Sequence, residues 1–85
     1  MKYYSSTAFN KYGIKNCESA YLKNQLGNGA STIGFELGLT TNQTDAAINA
    51  WAGLLKAASV GMVVHSNGEE YVVENLSPFA LFQRI

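Results

Sequence analysis

The chain has 85 residues, no formal net charge and 47% hydrophobic residues. This length suits one compact domain, and the apolar content excludes an intrinsically disordered chain, so we expect a single domain over residues 1–85. No apolar stretch approaches the roughly 18 residues of a membrane helix, no secretory signal pattern is visible, and Cys17, the single cysteine, cannot form an internal disulfide. These features predict a cytoplasmic protein without membrane contact.

The charges are unevenly distributed along the chain. Residues 1–30 hold four lysines and one glutamate, whereas residues 31–85 hold two basic and five acidic residues. A basic surface for nucleic acid would therefore come from the N-terminal part.

The first third of the chain predicts an extended segment and one helix. Lys2 to Phe9 is rich in Tyr, Ser and Thr, which favours a strand or an extended arm. Asn16 is a candidate N-cap for a helix that would end at Leu26, because Gly27-Asn28-Gly29 follows.

Two further helices are expected in the middle of the chain. Ser31 is a candidate N-cap for a short helix that Gly38 would end. A longer helix would start near Thr41 or Asn42, and Gly61 is the clearest terminator after it. Its predicted apolar stripe consists of Ile48, Trp51, Leu55 and Ala58.

A β-hairpin is the strongest local signal in the chain. Met62 to His65 and Glu70 to Val73 are β-prone runs around Asn67-Gly68, which favours a type I′ turn. This turn predicts that Val64 faces Tyr71 and that His65 faces Glu70. After the hairpin, Ser77-Pro78 would start a last short helix. Its apolar residues would pack in the core or form a homodimer contact through Phe79, Leu81 and Phe82.

Helix, short helix, turn, longer helix and hairpin, in this order, resemble the winged helix-turn-helix superfamily over about residues 16–75. Gly34 stands where this motif needs a small residue between its helices, and Gly38 where it needs a glycine to turn. The sequence departs from the family at Thr44 and Ala47, where larger apolar side chains are usual. The resemblance implies an α+β fold of three helices and a C-terminal hairpin wing, which the extended N-terminal segment and the last helix would complete.

The resemblance also implies that the longest helix contacts a macromolecule. One expectation is a DNA-binding transcriptional regulator of phage or mobile-element type. The candidate contact residues on this helix are Asn42, Gln43, Thr44 and Asn49, and Asn and Gln side chains can bind adenine edges. Lys11, Lys15 and Lys23 are the candidates for phosphate contacts.

The alternative is a module or inhibitor that binds a protein. The candidate helix carries few cations, and Glu69 and Glu70 at the hairpin would repel phosphate. An uncharged helix face suits a protein partner, for example a host or defence protein blocked by a phage inhibitor. The resemblance favours DNA and the charges favour protein, so the two remain equal hypotheses.

Catalytic and cofactor chemistry is not expected. Cys17 and His65 are the single residues of their kinds, too few for a metal site or a recognisable catalytic group. Gly27-Asn28-Gly29 lacks the lysine of a phosphate loop, and adjacent glutamates on a strand point to opposite faces.

Overall fold

The computed structural model describes residues 3–75 and, as backbone only, residues 81–84. The described chain folds as an α+β unit with four helices and one sheet. The strands are β1 (Tyr3–Tyr4), β2 (Val63–Ser66), β3 (Glu69–Asn75) and β4 (Leu81–Arg84). The helices are α1 (Thr7–Tyr12), α2 (Ile14–Gln25), α3 (Ala30–Leu37) and α4 (Thr41–Ala57). This arrangement is compatible with a winged-helix-like fold.

The N-terminal segment contains one helix more than the sequence predicts. The expected extended segment is limited to Tyr3–Tyr4, and α1 begins at Thr7. Gly13 separates α1 from α2 with a φ of 87°, a conformation that glycine adopts without a steric penalty. The predicted cap at Asn16 is wrong, because its side-chain amide lies inside α2 and donates to the Tyr12 carbonyl at 2.7 Å.

The predicted start of α3 is also wrong by two residues. Gly29 occupies the N-cap position and Ser31 lies inside the helix, without a side-chain capping bond. The end at Gly38 is confirmed, since this residue has the left-handed conformation (φ 75°, ψ 29°) of a helix C-cap.

The hairpin is confirmed in position, turn and register. Asn67 and Gly68 have φ values of 53° and 79°, as a type I′ turn requires. Val64 pairs with Tyr71 and His65 pairs with Glu70. The hairpin is the centre of a larger sheet, in which β1 pairs in parallel with β2, and β4 pairs in antiparallel with β3.

The predicted C-terminal helix is wrong where it can be compared. Leu81 and Phe82 lie in β4, whose backbone supplies partners for the outer edge of β3. Phe79 lies outside the described residues, as do the side chains of Leu81 and Phe82. The proposed homodimer contact therefore stays a prediction.

The hydrophobic core joins all four helices to the inner face of the sheet. Trp51 is 2% exposed, which confirms its predicted burial, and its ring meets that of Phe9 edge to face at 6.3 Å. Thr44 and Ala47 are also fully buried, whereas Ile48 and Leu55 pack only partly buried against the core. The apolar stripe of α4 is thus rotated from the predicted one, and Thr44 at its start lies beside Gly34 of α3.

Candidate functional site

Helices α3 and α4 form a tight corner, and Gly34 makes its close packing possible. A Cβ atom at Gly34 would lie 2.5 Å from the Leu39 carbonyl oxygen and 2.7 Å from Thr44 Oγ1, too close for any larger residue. The Gly34 carbonyl accepts a hydrogen bond from the Leu39 amide at 2.8 Å. The corner is therefore fixed by contacts that involve the backbone itself.

A capping box fixes the first turn of α4. The Thr40 hydroxyl accepts from the Gln43 amide at 3.1 Å, and Gln43 Oε1 accepts from the Thr40 amide at 2.9 Å. Gln43 was a candidate for binding adenine through both atoms of its amide group. Its oxygen is already engaged in the cap, so base recognition by Gln43 would compete with the start of the helix.

Thr44 does not belong to the exposed contact surface predicted for it. It is 0% exposed, and its hydroxyl donates to the Thr40 carbonyl at 2.8 Å. The physical reason is the register of α4, which turns Thr44 towards Gly34 of α3. Asn42 and Asn49 are exposed, in agreement with the prediction that they are accessible.

We refer to the exposed residues of α3 and of the first half of α4 as the corner surface. It consists of Ser31, Thr32, Phe35, Glu36, Thr41, Asn42, Asp45, Ala46 and Asn49. Its charged groups are two carboxylates and no cation. The surface is mainly neutral and polar, with one large apolar side chain.

Phe35 is that apolar side chain, and it is not among the contact residues predicted from the sequence. It is 90% exposed, the largest exposure among the large hydrophobic residues of the described chain. The spacing of apolar residues does indicate that Phe35 is exposed. Ile33 and Leu37, four residues apart, mark the buried side of α3, and Phe35 lies midway between them. An exposed aromatic ring on a rigid helix is a typical anchor for a protein partner.

Lys23, one of the predicted phosphate contacts, is paired within the protein. Its ammonium group lies 2.5 Å from Glu36 Oε2 and links α2 to α3. To bind a phosphate, the Lys23 ammonium would have to leave Glu36 or contact both anions at once. Lys23 therefore adds little positive potential to the corner surface.

Lys11 and Lys15 are exposed but lie away from the start of α4. Lys11 lies two residues after Phe9, whose ring contacts Trp51 of α4. Trp51 is nine residues after Asn42, which is about 14 Å along the helix axis. Lys15 follows Ile14, whose amide bonds to Ser66 at the end of β2. The two lysines are therefore near the hairpin and the middle of α4, and not beside Asn42.

The hairpin turn is packed against α1 and the start of α2. The Asn67 amide donates to Asn10 Oδ1 at 3.2 Å, and a Cβ atom at Gly13 would lie 3.2 Å from Asn67 Nδ2. A wing that binds DNA needs a free tip beside the recognition helix. The tip of this hairpin is instead in contact with α1 and with Gly13 at the start of α2.

The Cys17 thiol is buried, and the described residues contain no cluster of metal ligands. Burial raises the pKa of the Cys17 thiol to about 11, which disfavours the nucleophilic thiolate. Within residues 3–75, no group of three His, Cys, Asp or Glu side chains could hold a metal ion. No described helix has the length and apolar character that crossing a membrane requires.

No family model matches the chain, and no curated protein or solved structure is significantly similar to it. Inference about function therefore depends on the corner surface and the charges around it.

Proposed function

We propose that this protein is a non-catalytic module of winged-helix type that binds another protein through its corner surface. The observation that carries the proposal is Phe35, a 90% exposed aromatic ring on a mainly neutral surface, where Glu36 is paired with Lys23 and Asp45 is the other charged side chain. Aromatic side chains bury a large area at little conformational cost, so they often dominate protein interfaces. An inhibitor of a host protein is one form that such a module would take.

The partner would have an apolar recess for Phe35 surrounded by hydrogen-bonding groups. Asn42 and Asn49 are exposed on α4 and supply amide donors and acceptors, and Asp45 between them supplies a carboxylate. The corner is rigid because of the Gly34 contact and the capping box, so little entropy is lost on binding.

DNA is the second candidate ligand, favoured by the helix-turn-helix arrangement of α3 and α4 and by the exposure of Asn42 and Asn49. The charges oppose it. Asp45 lies on the exposed side of α4, Lys23 is paired with Glu36, and Glu70 is exposed on the hairpin.

The first experiment tests DNA directly. Fluorescence anisotropy with a random-sequence duplex at low salt should show no saturable binding at micromolar protein concentration. Binding that falls steeply with salt, and that is lost when Lys11 and Lys15 are changed to Glu, would replace the protein-binding proposal with the DNA one.

The second experiment tests the protein partner. Immobilised protein should retain a partner from a lysate of the source cells, and the purified pair should then be measured by calorimetry. Phe35→Ser and Asn49→Asp should each weaken the affinity roughly tenfold or more. Val60→Ser is the matched control, because Val60 is 69% exposed but lies after α4, outside the corner surface. Equal affinities for Phe35→Ser and Val60→Ser would contradict the proposal.

A further inference from the structure

The chain contains two Asn-Gly pairs, Asn28-Gly29 between α2 and α3 and Asn67-Gly68 at the hairpin turn. Asparagine before glycine is prone to deamidation, because glycine has no side chain to hinder the attack of its amide nitrogen on the asparagine side chain. All four residues are exposed, and neither glycine amide donates a hydrogen bond to another described residue. Exposure and the attacking nitrogen therefore do not distinguish the two pairs.

The backbone conformation of Asn67 opposes the reaction. Its φ of 53° belongs to the type I′ turn, in which ψ at this position is roughly 30°. Ring closure needs a different ψ, one that turns the Gly68 nitrogen towards Cγ of Asn67. The turn is closed by the pairing of Ser66 with Glu69, and the Asn67 amide donates to Asn10 Oδ1 at 3.2 Å. The hairpin turn must therefore open before Asn67 can react.

Asn28 is held by exposed contacts at the end of α2. It lies outside the helices and strands, and its φ is not positive. Its Nδ2 donates to the Lys23 carbonyl at 3.2 Å, and its own carbonyl accepts from Asn24 Nδ2 at 3.5 Å. Water can replace both contacts at little cost, because they are exposed. The bond from the Asn28 amide to the Lys23 carbonyl, 3.1 Å long, involves neither reacting atom and can remain. The side chain can therefore reach Gly29 while both helices stay folded.

We propose that Asn28 is a site of spontaneous deamidation in the folded protein and that the hairpin protects Asn67. The Gly29 amide nitrogen loses its proton and attacks Cγ of Asn28, the bond from Cγ to Nδ2 breaks, and ammonia leaves with a proton. Water then opens the five-membered succinimide ring. Attack of water at Cγ gives aspartate, and attack at the backbone carbonyl carbon gives isoaspartate, whose main chain runs through Cβ and Cγ. The net reaction consumes water and releases ammonia, so it needs no other reactant.

The reaction changes the connection between α2 and α3. Both products add a negative charge directly before Gly29, the N-cap of α3, and isoaspartate also adds a methylene group to the main chain there. Helix α3 carries Phe35 and is linked to α2 by the ion pair between Lys23 and Glu36. Deamidation at Asn28 thus alters the segment that connects α3 to the rest of the fold.

Incubation at pH 8.5 followed by peptide mapping tests the proposal. Trypsin cleaves after Lys23 and Lys56 and so places Asn28 and Asn67 in different peptides. Mass spectrometry with electron-transfer fragmentation locates the converted residue and distinguishes isoaspartate from aspartate. In the folded protein Asn28 should react roughly tenfold or more faster than Asn67, whereas in urea the two rates should agree within about threefold.

Gly29→Ala is the matched variant. Gly29 has a φ of −80°, and an added Cβ would meet no atom within 4 Å, so the substitution meets no steric obstacle in the fold. It should slow the reaction at Asn28 by roughly tenfold or more, because the new methyl group hinders the attacking nitrogen, and leave Asn67 unchanged. Equal rates at the two asparagines in the folded protein would overturn the proposal, as would a rate at Asn28 that is far lower in the folded protein than in urea. Neither outcome bears on partner binding at the corner surface.

Discussion

The corner between α3 and α4 and the junction between the hairpin and α1 are both tight contacts, but they are built differently. At the corner, the absence of a side chain at Gly34 lets the backbone of the turn approach α3. At the junction, a single buried hydroxyl on Ser66 accepts from the Ile14 amide at 2.9 Å and donates to the Phe9 carbonyl at 3.3 Å.

The two regions therefore tolerate different substitutions. At the corner there is no free volume beside Gly34, so an added methyl group would destabilise the protein more than the loss of a hydrogen bond. The junction is limited by hydrogen bonding, so removing one oxygen is costly although almost no volume is lost. The corner also supports the proposed binding surface, whereas the junction anchors the sheet.

The largest expected effect is at the corner. Gly34→Ala should destabilise the protein by about 2–3 kcal/mol, because the new Cβ would overlap the Leu39 carbonyl and the Thr44 hydroxyl. Urea denaturation followed by circular dichroism measures this.

Gly53→Ala is the control for Gly34→Ala, because it is also a helical glycine. A Cβ atom there would meet only the Tyr4 hydroxyl, at 2.9 Å and at the end of a side chain that can move. The gain in helix propensity of about 1 kcal/mol should offset that contact. Equal losses of stability in the two variants would contradict the special role of the corner.

The corner is also the region that sequence reasoning predicts best, because its signals are local. Gly34, Gly38 and the helix start near Thr41 are visible within a dozen residues. The Asn67-Gly68 turn is equally local and fixes the register of the hairpin. Local backbone requirements of this kind restrict the residue type directly.

The junction and the ends of the chain could not be predicted in this way. The Ser66 hydroxyl joins residues 52 and 57 positions away, and no spacing pattern reveals such a contact. Helix α1 has six residues in a segment rich in Tyr, Ser and Thr, so tertiary packing of Phe9 overrides the local preference for a strand. Phe35 could not be predicted as a contact residue for a different reason: the buried periodicity of α3 describes Ile33 and Leu37, and Phe35 lies on the opposite face.

The second prediction concerns the junction. Ser66→Ala should destabilise the protein by about 1–2 kcal/mol, since the buried Ile14 amide loses its acceptor. The Phe9 carbonyl keeps a partner in the Gly13 amide at 3.1 Å, which limits the loss. Exchange of the Ile14 amide should accelerate more than that of amides in the middle of α4. Unchanged exchange at Ile14 would show that this bond is unimportant.

The third prediction compares Thr40, the N-cap of α4, with Ser31, which the sequence suggested as the N-cap of α3. Thr40→Ala should cost about 1 kcal/mol, because it removes the hydroxyl that accepts from the Gln43 amide. Ser31→Ala should be close to neutral, because Ser31 is exposed and its side chain caps nothing. Thermal denaturation compares the two variants, and a loss for Ser31→Ala as large as that for Thr40→Ala would contradict the finding that Ser31 does not cap α3.

The last prediction concerns Cys17, which lies in the core that joins the corner to the sheet and whose effect on stability is confined to high pH. Burial raises the pKa of its thiol from 9.0 to about 11, so unfolding favours the thiolate at high pH. The contribution of the neutral thiol to stability is present below pH 9 and is lost as the pH rises through 11. Because tyrosine and lysine titrate in the same range, the measurement is the difference in urea stability between the unmodified protein and Cys17→Ala across that window.

Alkylation at pH 8 should also be much slower in the native protein than in urea, since the buried thiol reacts only after the core opens. Equal alkylation rates would mean that the corner and the sheet separate readily, and that the core does not join them as closely as the packing around Cys17 indicates.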